Sequence, residues 1–257
     1  MIKKITLIVL ALVCAASMTL AQEVVVMPHG VSPADVQADT VGNPDYVGLF
    51  DRPYTGLLNV GVESKMFFKG MSDAAFVNPG WTVVQKPEGS TAEFGTPVDV
   101  DTNIQVVAFT PDLVGTYVIE FADGGDPASL TINAALYLGI EDGRCDVCHQ
   151  DEGDEWKMTG HATMLQRGLD GLASSHYRES CIECHTVGYD TFAVNDGFDD
   201  FDFVFPDSLY EGQYDNMVAE YPDAMKRANI QCESCHGPGS AHPGPMGGNQ
   251  MVSSLSS

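Results

Sequence analysis

Three stretches of this chain set two thiols and an imidazole in the order Cys-x-x-Cys-His: Cys145, Cys148 and His149; Cys181, Cys184 and His185; Cys232, Cys235 and His236. Thiols three positions apart can each add to one vinyl group of a single porphyrin. The imidazole next in line then lies under the iron as the proximal axial ligand. The three motifs use every cysteine except Cys14. The spacing predicts three covalently attached haem c groups, with His149, His185 and His236 on the proximal sides.

The sixth ligand of each iron follows from a count. Beyond residue 140 three further histidines remain, His161, His176 and His242. Three irons and three spare imidazoles match one for one, which predicts bis-histidine, low-spin, saturated iron throughout. His161 falls in a predicted helix beside Trp156, and His176 precedes Cys181 by five residues. His242 follows His236 by six, through Gly-Pro-Gly. Six residues reach at most about 20 Å when extended, and this segment must turn. His242 is therefore expected to serve a neighbouring haem rather than its own.

The sequence offers other donors. Met158, Met164, Met217 or Met246 could replace a histidine and raise one potential, although most read as packing residues. His29 could reach a haem from the N-terminal half but reads better as a loop histidine. Asp196, Asp199, Asp200 and Asp202 lack the full spacing of a calcium loop and read as a solvated acidic turn. Zinc knuckles or disulfides would not require a histidine after every cysteine pair.

The run Trp156-Lys-Met-Thr-Gly-His161, the motif ending at His185, and Cys232-Glu-Ser-Cys-His-Gly-Pro-Gly-Ser-Ala-His242 together resemble the multihaem cytochrome c family. That family includes the tetrahaem electron carrier of ammonia oxidisers. The resemblance covers about 141–245 and implies distal-ligand roles for His161, His176 and His242. This chain departs from the pattern in having three motifs and a polar tail soon after the third.

The rest of the chain must position these groups. Residues 1–21 read as an export signal: Lys3 and Lys4, an apolar run containing Cys14, then small residues before a cleavage point after Ala21. No later segment has the length and apolarity of a membrane span. Removing the signal leaves 10 basic against 36 acidic residues, a net charge of −26, which repels nucleic acid and suits redox partners with basic docking surfaces, self-association remaining open.

Residues 22–140 lack cysteine and predict strands near 23–27, 81–85, 104–109, 116–121 and 130–138, short β-branched and aromatic runs between Pro, Gly and Asp clusters. Trp81 reads as a core residue, and the stretch from Pro111 to Tyr117 resembles the tyrosine corner of immunoglobulin or polycystic-kidney-disease-type sandwiches over about 78–138. Residues 28–77 supply either extra strands or a long cover. Residues 141–257 predict helices over 154–172 and 222–231, with too little aliphatic content for an ordinary core without the haems.

The expected architecture is thus multidomain: an all-β immunoglobulin-like sandwich (22–140), then a mainly helical and loop-rich trihaem cytochrome c domain (141–257). The expected role is electron transport between redox proteins, in the periplasm or at the cell surface. The alternative is a reductase of a small nitrogen or sulfur oxyanion at a haem with an open axial site. Saturated iron leaves no catalytic residue to name.

Overall fold

The computed structural model describes residues 23–42, 46 and 48–242. The predicted export signal, Cys14, Met246 and the polar tail lie outside the described residues.

The N-terminal part is built from two four-stranded sheets. Its elements are β1 (Val24–Pro28), α1 (Pro33–Thr40), β2 (Asn59–Gly61), β3 (Met66–Ser72), β4 (Pro79–Gln85), β5 (Val98–Asp101), β6 (Ile104–Phe109), β7 (Gly115–Asp123) and β8 (Ala128–Ala135). One sheet has the order β1-β3-β6-β5 and the other β2-β8-β7-β4. Alternation decides what faces inward. Phe68, Val107 and Phe109 from the first sheet meet Tyr117, Ile119, Phe121 and Ile132 from the second in one buried core.

The intervening residues Phe67 and Val106 point to the outer face of the first sheet. There they pack against Val31 and Phe50, with Tyr46, Leu49 and Tyr54 around them. Residues 28–77 therefore do both things the sequence allowed: they supply β2 and β3, and they wrap one sheet. Ser32 starts α1 with a capping box, its hydroxyl accepting from Asp35 N.

Tyr117 behaves as its sequence context predicts. Its ring is fully buried, and its hydroxyl donates to Leu113 O at 2.8 Å and accepts from Leu113 N at 2.9 Å. Trp81 is only half-buried: its ring lies tilted against Phe121, centres 4.7 Å apart, and Nε1 donates to Gln105 Oε1 at 2.6 Å. One pairing departs from an all-antiparallel pattern. β2 runs parallel to β8, with Asn59 opposite Asn133, and this edge carries the second part of the chain.

That part contains α2 (Gly139–Gly143), α3 (Cys145–Cys148), α4 (Gln150–Lys157), α5 (Met164–Leu169), α6 (Ile182–His185), α7 (Gln213–Glu220), α8 (Pro222–Met225) and α9 (Cys232–His236). The helix predicted over 154–172 is two helices. Thr159 turns back on the Trp156 carbonyl through both its N–H and its hydroxyl, and Gly160 follows, so the first helix ends before His161. The helix predicted over 222–231 stops at Met225. Asn229 adopts a left-handed backbone (φ 71°) and its side-chain oxygen accepts from Leu165 N and Gln166 N, capping α5 instead of extending α8.

The expectation that this part could not build a core of its own needs correction. Leu165, Leu169, Tyr177, Ile182, Phe198, Met217 and Met225 are buried together, with Phe201, Phe203, Phe205, Tyr214 and Tyr221 packed around them. Aromatic area, rather than aliphatic count, supplies the burial. Met217 is 2 % exposed within this cluster, a packing residue and not an axial ligand.

Replacing Tyr117 by Phe removes both backbone hydrogen bonds of its hydroxyl. The expected loss is about 1–2 kcal/mol of unfolding free energy, seen as a lower denaturant midpoint at unchanged slope.

Candidate functional site: three Cys-x-x-Cys-His helices

Each motif folds as a short helix, and the reason is local. α3 ends at Cys148 with His149 outside the helix, α6 begins at Ile182 with Cys181 closing a 3₁₀ turn before it, and α9 spans its whole motif. Positions 1, 4 and 5 of a helical pentapeptide lie on one face, which brings two thiols and the following imidazole to one side of α9. That is the arrangement a porphyrin requires for two thioethers and one axial bond, and the residues fit the group.

The motifs are not independent. Cys145 of the first and Cys232 of the third are in hydrogen-bonding contact through their thiols. The contact with Cys232, together with burial, pushes the Cys145 thiol up, while the same contact lowers that of Cys232. The first and third attachment points therefore adjoin.

The distal candidates are placed differently from one another. His242 faces His149, with ring centres 6.4 Å apart and planes inclined by 35°. His161 opens a single 3₁₀ turn (His161–Thr163) and is exposed; its carbonyl accepts from Ile230 N at 3.2 Å, just ahead of the third motif. Trp156, expected beside it, instead donates Nε1–H to the Ile230 carbonyl at 2.8 Å. His176 is exposed in the turn before the second motif, its N–H bonded to Ser174 Oγ. His29 sits against Phe50 beside the first sheet, with its backbone N–H on the Phe67 carbonyl. Met158 is 88 % exposed.

The second motif has a partner that spacing does not signal. Tyr177 stacks on His185 at 5.4 Å with planes 17° apart, and its hydroxyl lies 2.8 Å from His185 Nδ1. A proton on Nδ1 donated to that hydroxyl leaves Nε2 as the free donor of the ring. Burial lowers the pKa of His185 and raises that of Tyr177. Gly168 makes room for this arrangement, since a Cβ there would overlap the Tyr177 ring.

The third motif is anchored through its own middle residue. Glu233 is 2 % exposed although it lies between two cysteines. Its carboxylate accepts from Gly139 N at 2.7 Å, Gly239 N at 2.6 Å and Leu138 N at 3.1 Å. Burial raises its pKa and these donors oppose the shift. A cleft of about 620 Å³ at the seam of the two parts is lined by Arg52, Lys65, Glu183, Cys184, Glu233 and Ser234, among others; Arg52 pairs there with Asp190 at 2.5 Å and Lys65 with Asp51 at 3.2 Å.

The acidic cluster after Asn195 is a folded turn. Asp200 accepts from Asn195 N and Gly197 N, and Asp199 from Asp190 N. Among the described residues no group of three or more His, Cys, Asp or Glu side chains is gathered to hold a bare metal ion.

Residues 144–201 match the family model described as cytochrome c554 and c-prime. The match spans the first two motifs together with His161 and His176, and it makes this segment similar to c-type cytochromes. No curated protein matches the chain. Among solved structures, the crystal structure of the Lin-41 filamin domain aligns at 18 % identity over 32 % of this chain and 86 % of that one, with a TM-score of 0.27. Among the described residues no helix is long and apolar enough to cross a membrane.

Alanine at position 168 must displace Tyr177. Gly168→Ala is expected to cost about 1–3 kcal/mol, measured as a shift of the denaturation midpoint.

Proposed function

We propose that this chain is an exported trihaem c-type cytochrome that carries electrons between redox partners. The observation that carries the reading is the approach of His242 to His149. Two imidazoles bonded through nitrogen to opposite sides of one metal ion stand about 6 Å apart, centre to centre, given metal–nitrogen bonds of about 2 Å. The observed 6.4 Å fits that spacing. It also agrees with the expectation that His242 serves a haem other than the one bound next to it in sequence.

In this reading Cys145 and Cys148, Cys181 and Cys184, and Cys232 and Cys235 hold three haem c groups covalently. His149, His185 and His236 are the proximal ligands, and His161, His176 and His242 the distal ones, with His242 opposite His149. Haem c supplies a reversible one-electron couple whose potential depends on axial ligands, hydrogen bonds and surrounding charge. The chain's own groups set those variables. Two imidazoles per iron fill the coordination sphere and exclude substrate. Tyr177 orients His185 and strengthens it as a donor by taking its Nδ1 proton in a hydrogen bond. The contact of Cys145 with Cys232 would bring the haem groups held there near one another, which would shorten an electron path between them.

The net charge of −24 for the whole sequence favours oxidised, more positive iron and so lowers potentials. It also steers the protein toward basic partners, an effect that weakens with salt. The match to a cytochrome c family model supports the electron-carrier reading, and the cations in the cleft beside Cys184, Arg52 and Lys65, are paired with Asp190 and Asp51.

The intact mature protein is expected to carry three added porphyrin masses by mass spectrometry, and fewer would overturn the count. Its oxidised form should give only low-spin signals in electron paramagnetic resonance. A high-spin component that changes with nitrite, hydroxylamine or sulfite would instead indicate an open catalytic site. Tyr177→Phe should leave three porphyrins in place while raising the potential of one haem, because an unassisted imidazole donates less to iron; unchanged potentials would remove Tyr177 from the ligand shell.

A further inference from the structure

We propose that Glu233 and Ser240 are positioning residues that hold His242 over His149, so that the junction between the β-sheets and the helices sets the sixth ligand of the first haem. The inference rests on the bis-histidine reading above and deepens it, because it names what fixes the distal ligand.

The loop from His236 to His242 has no secondary structure of its own, yet it is tied at nearly every step. Gly237 has a positive φ of 80° and lies so close to β2 that a Cβ would overlap the Asn59 carbonyl. Asn59 reaches the His236 carbonyl through Nδ2 at 3.4 Å, and its own side-chain oxygen accepts from Asn133 at 3.1 Å. Gly239 N–H donates to Glu233 at 2.6 Å. Ser240 is bonded twice to Leu136: its hydroxyl accepts from Leu136 N at 2.8 Å, and its N–H donates to Leu136 O at 3.2 Å. His242 N–H then closes a turn on the Gly239 carbonyl at 2.9 Å.

The ties of Gly237 and His236 run to β2, and those of Ser240 and Glu233 run to the segment 136–139. That segment leaves β8 and runs into α2 and then α3, which carries the first motif. Glu233 holds it from the other side, accepting the Leu138 and Gly139 N–H groups. These are donors that a helix start leaves without intrahelical partners. A single buried carboxylate thus bonds both to the segment that leads through α2 to the first motif and to the loop that carries His242. A charge-assisted bond to a buried carboxylate is stronger than a neutral one, so Glu233 is the main fastener. Ser240 is the exposed, secondary one.

Carbon monoxide tests this on the reduced full-length holoprotein, because it binds ferrous haem only when a distal ligand lets go. Wild type should take it up slowly or not at all. His242→Ala should bind one equivalent per chain. Ser240→Ala and Glu233→Gln should each admit carbon monoxide at that same haem about tenfold faster than wild type, the scale expected when one hydrogen bond is lost. Three porphyrins should be retained in mass.

If His242→Ala stays closed, the ligation reading fails. If it opens while the Ser240 and Glu233 variants stay as slow as wild type, the positioning inference fails and the ligation reading stands. Should Glu233→Gln not accumulate, Ser240→Ala decides alone. Tyr117→Phe, which loosens the sheets far from the loop, must leave carbon monoxide uptake unchanged. An equal opening in that variant would mean general loosening and would overturn the proposal.

Discussion

The polar junction at residues 136–140 is the constraint on which both parts of the molecule depend. Five backbone groups there are engaged by side chains from sequence-distant helices and loops. Glu233 takes the N–H groups of Leu138 and Gly139, Gln231 takes that of Ile140 at 2.6 Å, Ser240 takes that of Leu136, and Arg227 donates to the Tyr137 carbonyl at 3.1 Å. Glu233, Gln231 and Arg227 are each 5 % exposed or less. A buried polar group without a partner is costly, so each of these side chains is held in one place by the backbone it satisfies. The junction behaves as a rigid hub rather than a linker.

From that hub the motif helices take their positions. Gln231 immediately precedes the third motif and Glu233 lies inside it, so α9 cannot move relative to the strand that leads to α3. Arg227 stacks over Phe201 at 4.2 Å and bonds to the Asp196 and Asp223 carbonyls as well. It connects the hub to the aromatic cluster around Leu165 and Phe198. That cluster in turn backs Tyr177 and hence His185. Packing and hydrogen bonding thus link the three motifs through side chains outside them, the second by way of Tyr177 on the His185 ring. In the proposed carrier such linkage limits how far the iron environment must rearrange when charge changes, which keeps electron transfer fast.

The two β-sheets have a place in this scheme. His29, the histidine of that part, packs against Phe50. Their second sheet ends in the short parallel pair β2 and β8, and Asn59, Gly61 and Leu136 on that edge meet the helical part. Gly61 lies against the Asn195 side chain and Tyr137, where a Cβ would crowd both. Arg52 extends the seam by pairing with Asp190 and lying over Phe192 at 4.0 Å. The sheets act as a template against which the segments carrying the motifs are laid.

Much of this was legible before folding is considered. The motif spacing by itself singled out which thiols and imidazoles lie together, because Cys-x-x-Cys-His keeps three groups within five consecutive residues whatever surrounds them. Alternating β-branched and aromatic residues marked β4, β6, β7 and β8, and the local context of Tyr117 predicted its bonded hydroxyl. The periodicity of 154–172 and 222–231 misled, since helix ends there are set by Thr159 and Asn229, whose side chains choose backbone partners that only the folded chain supplies. The aromatic core of the helical part was missed because its members are spread singly along irregular segments. The partner of His149, the burial of Glu233 and the contact of Tyr177 with His185 carry no local signature. They arise where segments far apart in sequence are pressed together, and proximity of that kind is decided by packing and by the need to satisfy buried polar groups, neither of which a linear pattern records.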